Sequence, residues 1–331
     1  MKILKCSFLL CLGLLIVSGT VFAKGQAGGK INVTFAGTEG DAAGQSRMMK
    51  EVADILNKTG RFDVKVFTAG ALSNDTDNLV KQAVDGTPLV IPSDPGRLAS
   101  QFNIPDMNIL MAPYVLTDYT VLAKLPQTAL YQKWQKQLED QGIVLIADMF
   151  NGFRNFYTIT PVTKVADLRG LRIRGFGNNI GNALAKYLGY AQTSIPATEV
   201  YSAVQAKSLD GTEIQASTGD SYRLYEVTKN LAITKHYMLQ SAFVVSKKLL
   251  DAMPAAEKKI FIDTVTATSA KYSAIIAGEE QGYYDNFTKN GGKINPVNIT
   301  EFQNAVAPLY TNNDLKLSDG LKEELFKQLG L

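Results

Sequence analysis

Short apolar runs with strand character alternate along this chain with longer segments in which apolar positions recur every three or four residues. Ile31 to Gly37 reads as a strand. Asp41 to Lys58 sets Met48, Met49, Val52, Ile55 and Leu56 on one helical face, and Gly60 ends it. Asp63 to Thr68 alternates as a half-buried strand does, Asp75 to Val84 returns to helical spacing, and Pro88 to Pro92 is a short buried strand. The succession is βαβαβ, the signature of an open parallel sheet. A long helical pattern from Tyr119 to Gln141, stopped at Gly142, leads into the apolar strand Ile143 to Phe150.

Asn151-Gly152 then marks a turn, and a second α/β series begins. It contains strand Arg154 to Ile159, a short turn at Val165 to Gly170, strand Leu171 to Arg174, helices Asn179 to Leu188 and Thr198 to Ser208, and strand Thr212 to Ala216. Leu239 to Ser246 is a strongly apolar strand. Ala255 to Lys289 forms one long helix of about ten turns, suited to bracing two lobes, and Asn312 to Leu331 reads as a polar terminal helix. The expectation is two open α/β domains joined by a hinge: residues 24–150 with part of 240–280, and residues 151–239 with part of 281–331. A length of 331 residues accommodates two domains of ordinary size.

The N-terminus carries Lys2 and Lys5, a thirteen-residue apolar run from Cys6 to Ser18, and then Val21-Phe22-Ala23. This pattern predicts a signal peptide over residues 1–23, cleaved after Ala23, and an exported soluble protein in the periplasm; a monomer is the separate expectation. The run is shorter than the ~20 residues that span a bilayer. Both cysteines, Cys6 and Cys11, fall within it, so a mature chain from Lys24 has no disulfide, thiol chemistry or cysteine metal site. Lys2 and Lys5 are the only charged residues before Lys24, so the formal charge of +3 falls to near balance without them. That balance argues against nucleic acid as a partner.

Enzymatic machinery is sparse. His236 is the only histidine, which excludes Cys/His pairs and histidine-rich metal centres, and no G-x-S-x-G elbow occurs. In Gly175-Phe176-Gly177 the next glycine, Gly181, comes one residue late for a dinucleotide loop. No cofactor and no metal are expected. An acid/base pair of Glu213 and His236 is the enzymatic alternative, without an identifiable nucleophile beside it. What the sequence offers instead is arginines at strand ends. Arg172 and Arg174 share one face of their strand, and Arg174 is its last residue, where open α/β sheets bind ligands and a planar guanidinium grips a carboxylate. Arg154 opens another strand, and Arg97 follows Asp94-Pro95-Gly96. Spacing alone allows each to be a solvated surface arginine, and His236 to be a satisfied polar group.

The stretch Asp167-Leu168-Arg169-Gly170-Leu171-Arg172-Ile173-Arg174 resembles the D-L-K-G-L-K-I-R segment of TRAP transporter solute-binding proteins of the DctP family. Glu199-Val200-Tyr201-Ser202-Ala203-Val204-Gln205 is similar to the family's E-V-Y-x-A-L-Q, and Leu209-Asp210-Gly211-Thr212-Glu213 to its V-D-G-x-E. Tyr225-Glu226-Val227 with Leu231 to His236, Pro113-Tyr114-Val115 and Asn151-Gly152-Phe153-Arg154 resemble further family segments in the same order. The resemblance implies a two-lobed periplasmic binding fold, a small organic acid or sugar acid as ligand, and TRAP permease subunits as partner, a ligand-sensor subunit being the alternative to a transporter subunit. It assigns the ligand carboxylate to Arg174, with Arg154 beside it and Asp94 and Arg97 from the other lobe. Glu213 and Gln215 join the binding set, and Glu213 and His236 match a glutamate and histidine that form a polar network buttressing the arginine. The chain departs from the family at Thr212-Glu213-Ile214-Gln215, where an Asn or His is common, and at Ala197, where an aromatic residue is common.

Overall fold

The computed structural model describes residues 29–331, so the signal-peptide expectation lies outside the described residues. Ten strands carry the fold. They are β1 (Ile31–Ala36), β2 (Phe62–Phe67), β3 (Leu89–Ser93), β4 (Ile143–Thr158), β5 (Arg172–Arg174), β6 (Ala191–Thr193), β7 (Gly211–Gln215), β8 (Asn230–Ala232), β9 (Met238–Ser246) and β10 (Lys293–Asn295). The first βαβαβ run folds as expected, with β1 parallel to β2 and to β3. Helices Gly44–Lys58 and Thr76–Asp85 link these strands, the first burying Met48, Met49, Val52 and Leu56.

The sheet is mixed, and this corrects the expectation of a parallel one. Strand β9 inserts between β3 and β4 and is antiparallel to both. Its partners lie far away in sequence, beyond the reach of local periodicity. All nine of its residues are buried, which is why it reads as a strongly apolar strand despite Gln240 and Ser241.

Strand β4 also differs from the reading. Residues 143–158 form one strand where a turn was expected at Asn151-Gly152. Gly152 takes φ +110°, and the register slips between Phe150 and Phe153, so the pair forms a bulge inside the strand. Up to Phe153, on the far side of the bulge, β4 pairs with β9; from Arg154 onward it pairs with β7, and from Phe156 with β8. Two sheets, β2-β1-β3-β9-β4 and β6-β5-β7-β4-β8-β10, therefore share this single strand.

The helix Ala255–Lys289 has the limits read from the sequence and touches both sheets. Ser273 Oγ accepts from the Phe150 backbone N–H at 2.9 Å. Glu279 pairs with Arg47 at 2.5 Å on the first helix, while Tyr284 and Phe287 enter a smaller apolar core with Tyr157, Val200 and Ile214. The expected helix from Tyr119 to Gln141 is broken: two short 3₁₀ turns, Tyr119–Ala123 and Leu125–Gln127, precede the α-helix Ala129–Asp140. Pro126 accounts for this, since it has no N–H and its ring crowds the preceding turn. The segment Thr198 to Ser208 similarly reduces to the helix Val200–Gln205 after a 3₁₀ turn, and the terminal helix to Leu321–Leu329. No helix among the described residues is long and apolar enough to cross a membrane.

Candidate functional site

A cavity of about 360 Å³ lies where the carboxyl ends of β1, β3, β5 and β7 converge on the bulge of β4. Its size is at the lower end of the ~300–1,000 Å³ typical of small-molecule sites. Asp94, Arg97, Arg154, Arg174 and Gln215 line it; Glu213 and His236 are not in the wall.

Arg154 is the first β4 residue paired to β7, directly opposite Gln215. The register therefore sets its side chain among those of Glu213 and Gln215. Nε donates to the Glu213 carboxylate, a terminal nitrogen donates to the Glu213 carbonyl, and Nη1 donates to Gln215 Oε1 at 3.2 Å. Both charged groups are buried, at 1% and 0% exposure, so each depends on the other. Burial alone raises the Glu213 carboxyl, but Arg154 and then His236 outweigh it and hold the pKa at about 2. His236 lies behind, its Nε2 3.4 Å from Glu213 Oε2 and its Nδ1 2.8 Å from Thr234 Oγ1. Burial lowers its pKa against the pull of Glu213, so it is the neutral ring: Nε2–H toward the carboxylate, Nδ1 accepting from the Thr234 hydroxyl.

Arg174 is differently placed. It is the last residue of β5, buried at 5% exposure, and its Nε donates to the Ile195 carbonyl at 3.1 Å. Among the described residues it has no carboxylate partner. Burial, and then the charge of Arg154, depress its pKa to about 10, still leaving a full positive charge at neutral pH. Arg172, two residues earlier, is exposed and paired with Asp210 at 2.8 Å. Phe176, on the loop just after β5, holds the arginines by its ring. The guanidinium carbons of Arg154, Arg97 and Arg174 lie 4.3, 5.4 and 5.6 Å from its centroid. The glycine at 181 is required by this loop, because a Cβ there would sit 2.0 Å from the Phe176 carbonyl oxygen.

The wall contributed after β3 is self-paired. Asp94 caps the helix Pro95–Gln101, accepting from the Arg97 N–H at 2.9 Å, and pairs with Arg97 Nε at 3.0 Å. Arg97 Nη1 also reaches Asp77 at 3.3 Å. Its charge is thus already answered by two carboxylates.

The family model described as "Bacterial extracellular solute-binding protein, family 7" (DctP) matches residues 36–315. The chain belongs to this family. Among its DctP-family relatives, the C4-dicarboxylate-binding periplasmic protein DctP of Rhodobacter capsulatus is 29% identical over 223 residues, covering 67% of this chain and 66% of that protein. The sialic acid-binding periplasmic protein SiaP of Vibrio cholerae is 23% identical, covering 83% of this chain and 86% of its own. A TRAP periplasmic solute-binding protein from Desulfovibrio salexigens, solved in complex with diglycerolphosphate, is 28% identical and matches with a TM-score of 0.83 over 91% of this chain and 97% of that one. The architecture is accordingly the two-lobed α/β fold of periplasmic binding proteins.

Residues not singled out from the sequence also line the cavity of this DctP-family chain, notably Glu39, Gln45, Asn151 and Thr218. Glu39 had a signal. It stands three residues beyond β1, at a strand's carboxyl end, where the rule that picks Arg174 applies equally. Asn151 stood in a family-like segment but was read only as part of a turn, which gave its side chain no place in the site.

Proposed function

We propose that the chain captures a small organic acid or sugar acid between its lobes and delivers it to the membrane subunits of a TRAP transporter. The observation that carries this reading is the contrast between two buried arginines. Arg154 is neutralised by Glu213, whereas Arg174 is buried at the cavity with no carboxylate of its own. A ligand carboxylate completes the pair through two parallel hydrogen bonds, and Phe176 and the Ile195 carbonyl keep the guanidinium plane fixed for it. The dicarboxylate and sialic acid named for two relatives are acids, in keeping with this chemistry.

The lobes in this reading are residues 24–150 with part of 240–280 and residues 151–239 with part of 281–331, and the bulge of β4 is their hinge. The solute touches both lobes only when the cleft is shut, so it stabilises the closed form by its differential affinity. Residues 1–23 direct export and are removed, which puts the protein in the periplasm; in this reading it acts there as a monomer. The test is a thermal-shift screen of organic and sugar acids against the chain from Lys24 onward. A binder raises apparent stability by mass action, and Arg174→Ala removes that response. If every acid that stabilises the wild type stabilised Arg174→Ala as well, the reading would be wrong.

A further inference from the structure

The cavity contains a further buried acid to which the carboxylate reading gives no role. Glu39 is 8% exposed and lines the same cavity as Arg174. Its Oε1 accepts from three side chains: Gln215 Nε2 at 2.8 Å, Asn151 Nδ2 at 3.0 Å and Thr218 Oγ1 at 3.0 Å. Its Oε2 is enclosed and has no hydrogen-bond partner among the described residues. Three donors on one oxygen fix the carboxyl plane, so the second oxygen has no protein group to turn to. A buried carboxyl oxygen left this way is costly unless something else satisfies it.

Building on the carboxylate reading, we propose that Glu39 is the second anchor of the site and selects an acid that carries a hydrogen-bond donor, a hydroxyl or an ammonium, away from its carboxylate. The cavity then holds one unpaired cation, Arg174, and one half-satisfied acid, Glu39, and the complementary solute has an acidic end and a donor end. A dicarboxylate meets this poorly, because its second carboxylate faces another acid. A hydroxyl suits Glu39 in either protonation state, since it both donates and accepts. Burial raises the Glu39 pKa against hydrogen bonds from Thr218 and Asn151 and the charge of Arg154. Tyr222 also faces it, with its hydroxyl donating to the neighbouring Thr38 carbonyl at 2.9 Å. An ammonium ligand adds a positive charge beside Glu39 and favours its ionised form, whereas a hydroxyl ligand adds none.

The test is calorimetry on wild type, Glu39→Gln and Arg174→Ala with acids matched in length. The probes are 4-hydroxybutyrate, 4-aminobutyrate, succinate and butyrate, with galactonate and galactarate as a polyhydroxylated pair. Wild type should bind the donor-ended acids at least about tenfold more tightly than the diacid of equal length. Glu39→Gln keeps an oxygen for the three donors and should erase most of that preference. The proposal is overturned if wild type prefers the diacids, or if Glu39→Gln shifts all probes by one common factor. Affinities that survive Arg174→Ala unchanged would instead remove the carboxylate anchor. The wild-type selectivity decides the matter even if a variant folds poorly.

Discussion

Replacing Glu213 by Gln removes one charge from the most deeply buried ion pair in the cavity's foundation. Glu213 and Arg154 are 0% and 1% exposed, and the variant leaves a guanidinium answered only by neutral oxygens. Breaking a buried pair from one side costs about 3–5 kcal/mol. The titration of Glu213 gives a similar size. A carboxyl held at about 2 in place of its ordinary 4.5 corresponds to about 3 kcal/mol, at ~1.4 kcal/mol per tenfold. The sign follows from the depressed pKa: the contribution is fully present above pH 4.5 and is lost as the pH falls toward 2. Urea unfolding of wild type and Glu213→Gln should therefore differ by about 3 kcal/mol at pH 7, and the gap should narrow steadily below pH 4.5. A gap that stayed constant down to pH 3, or that was absent at pH 7, would refute the claim that Arg154 and His236 hold this carboxylate ionised.

Arg172→Ala should leave ligand affinity nearly unchanged, because this exposed side chain already pairs with Asp210; isothermal calorimetry checks it. Phe176→Ala should weaken binding by about tenfold or more while the protein stays folded, since one ring contacts three arginines at about 0.5–2 kcal/mol per contact; calorimetry and circular dichroism together check that. Saturating ligand should reduce the radius of gyration in small-angle scattering, and an unchanged radius would count against closure of the lobes.

Elements with self-contained signals were legible in the sequence. Asn179–Leu188 and Ala255–Lys289 have the limits read from their periodicity, because Asn178 caps the first and Gly189, at φ +82°, ends it. What failed depends on distant partners. Asn151-Gly152 has the composition of a hairpin turn, yet β9 holds the strand on one side and β7 on the other, so the chain passes straight through with a bulge. The short strands β6, β8 and β10, each three residues long, are strands only because a neighbour pairs with them, and none was foreseen. In the site, the arginines were legible because rules about strand ends and the family resemblance both point to them, whereas Glu39 was missed. Their division of labour was not. That Arg154 is neutralised, Arg97 self-paired and Arg174 unpaired depends on the β4–β7 register and the cap at Asp94.

The central claim is that Arg174 takes the ligand carboxylate, and affinity across two substitutions tests it most directly. With an acid found by thermal-shift screening, calorimetry on Arg174→Ala should show a loss of about 2–5 kcal/mol, or ~30-fold or more in Kd, because a buried carboxylate is left unpaired. Arg174→Lys should also bind clearly more weakly than wild type, since an ammonium keeps the charge but not the planar fork. Wild-type affinity in a folded Arg174→Ala would contradict the account.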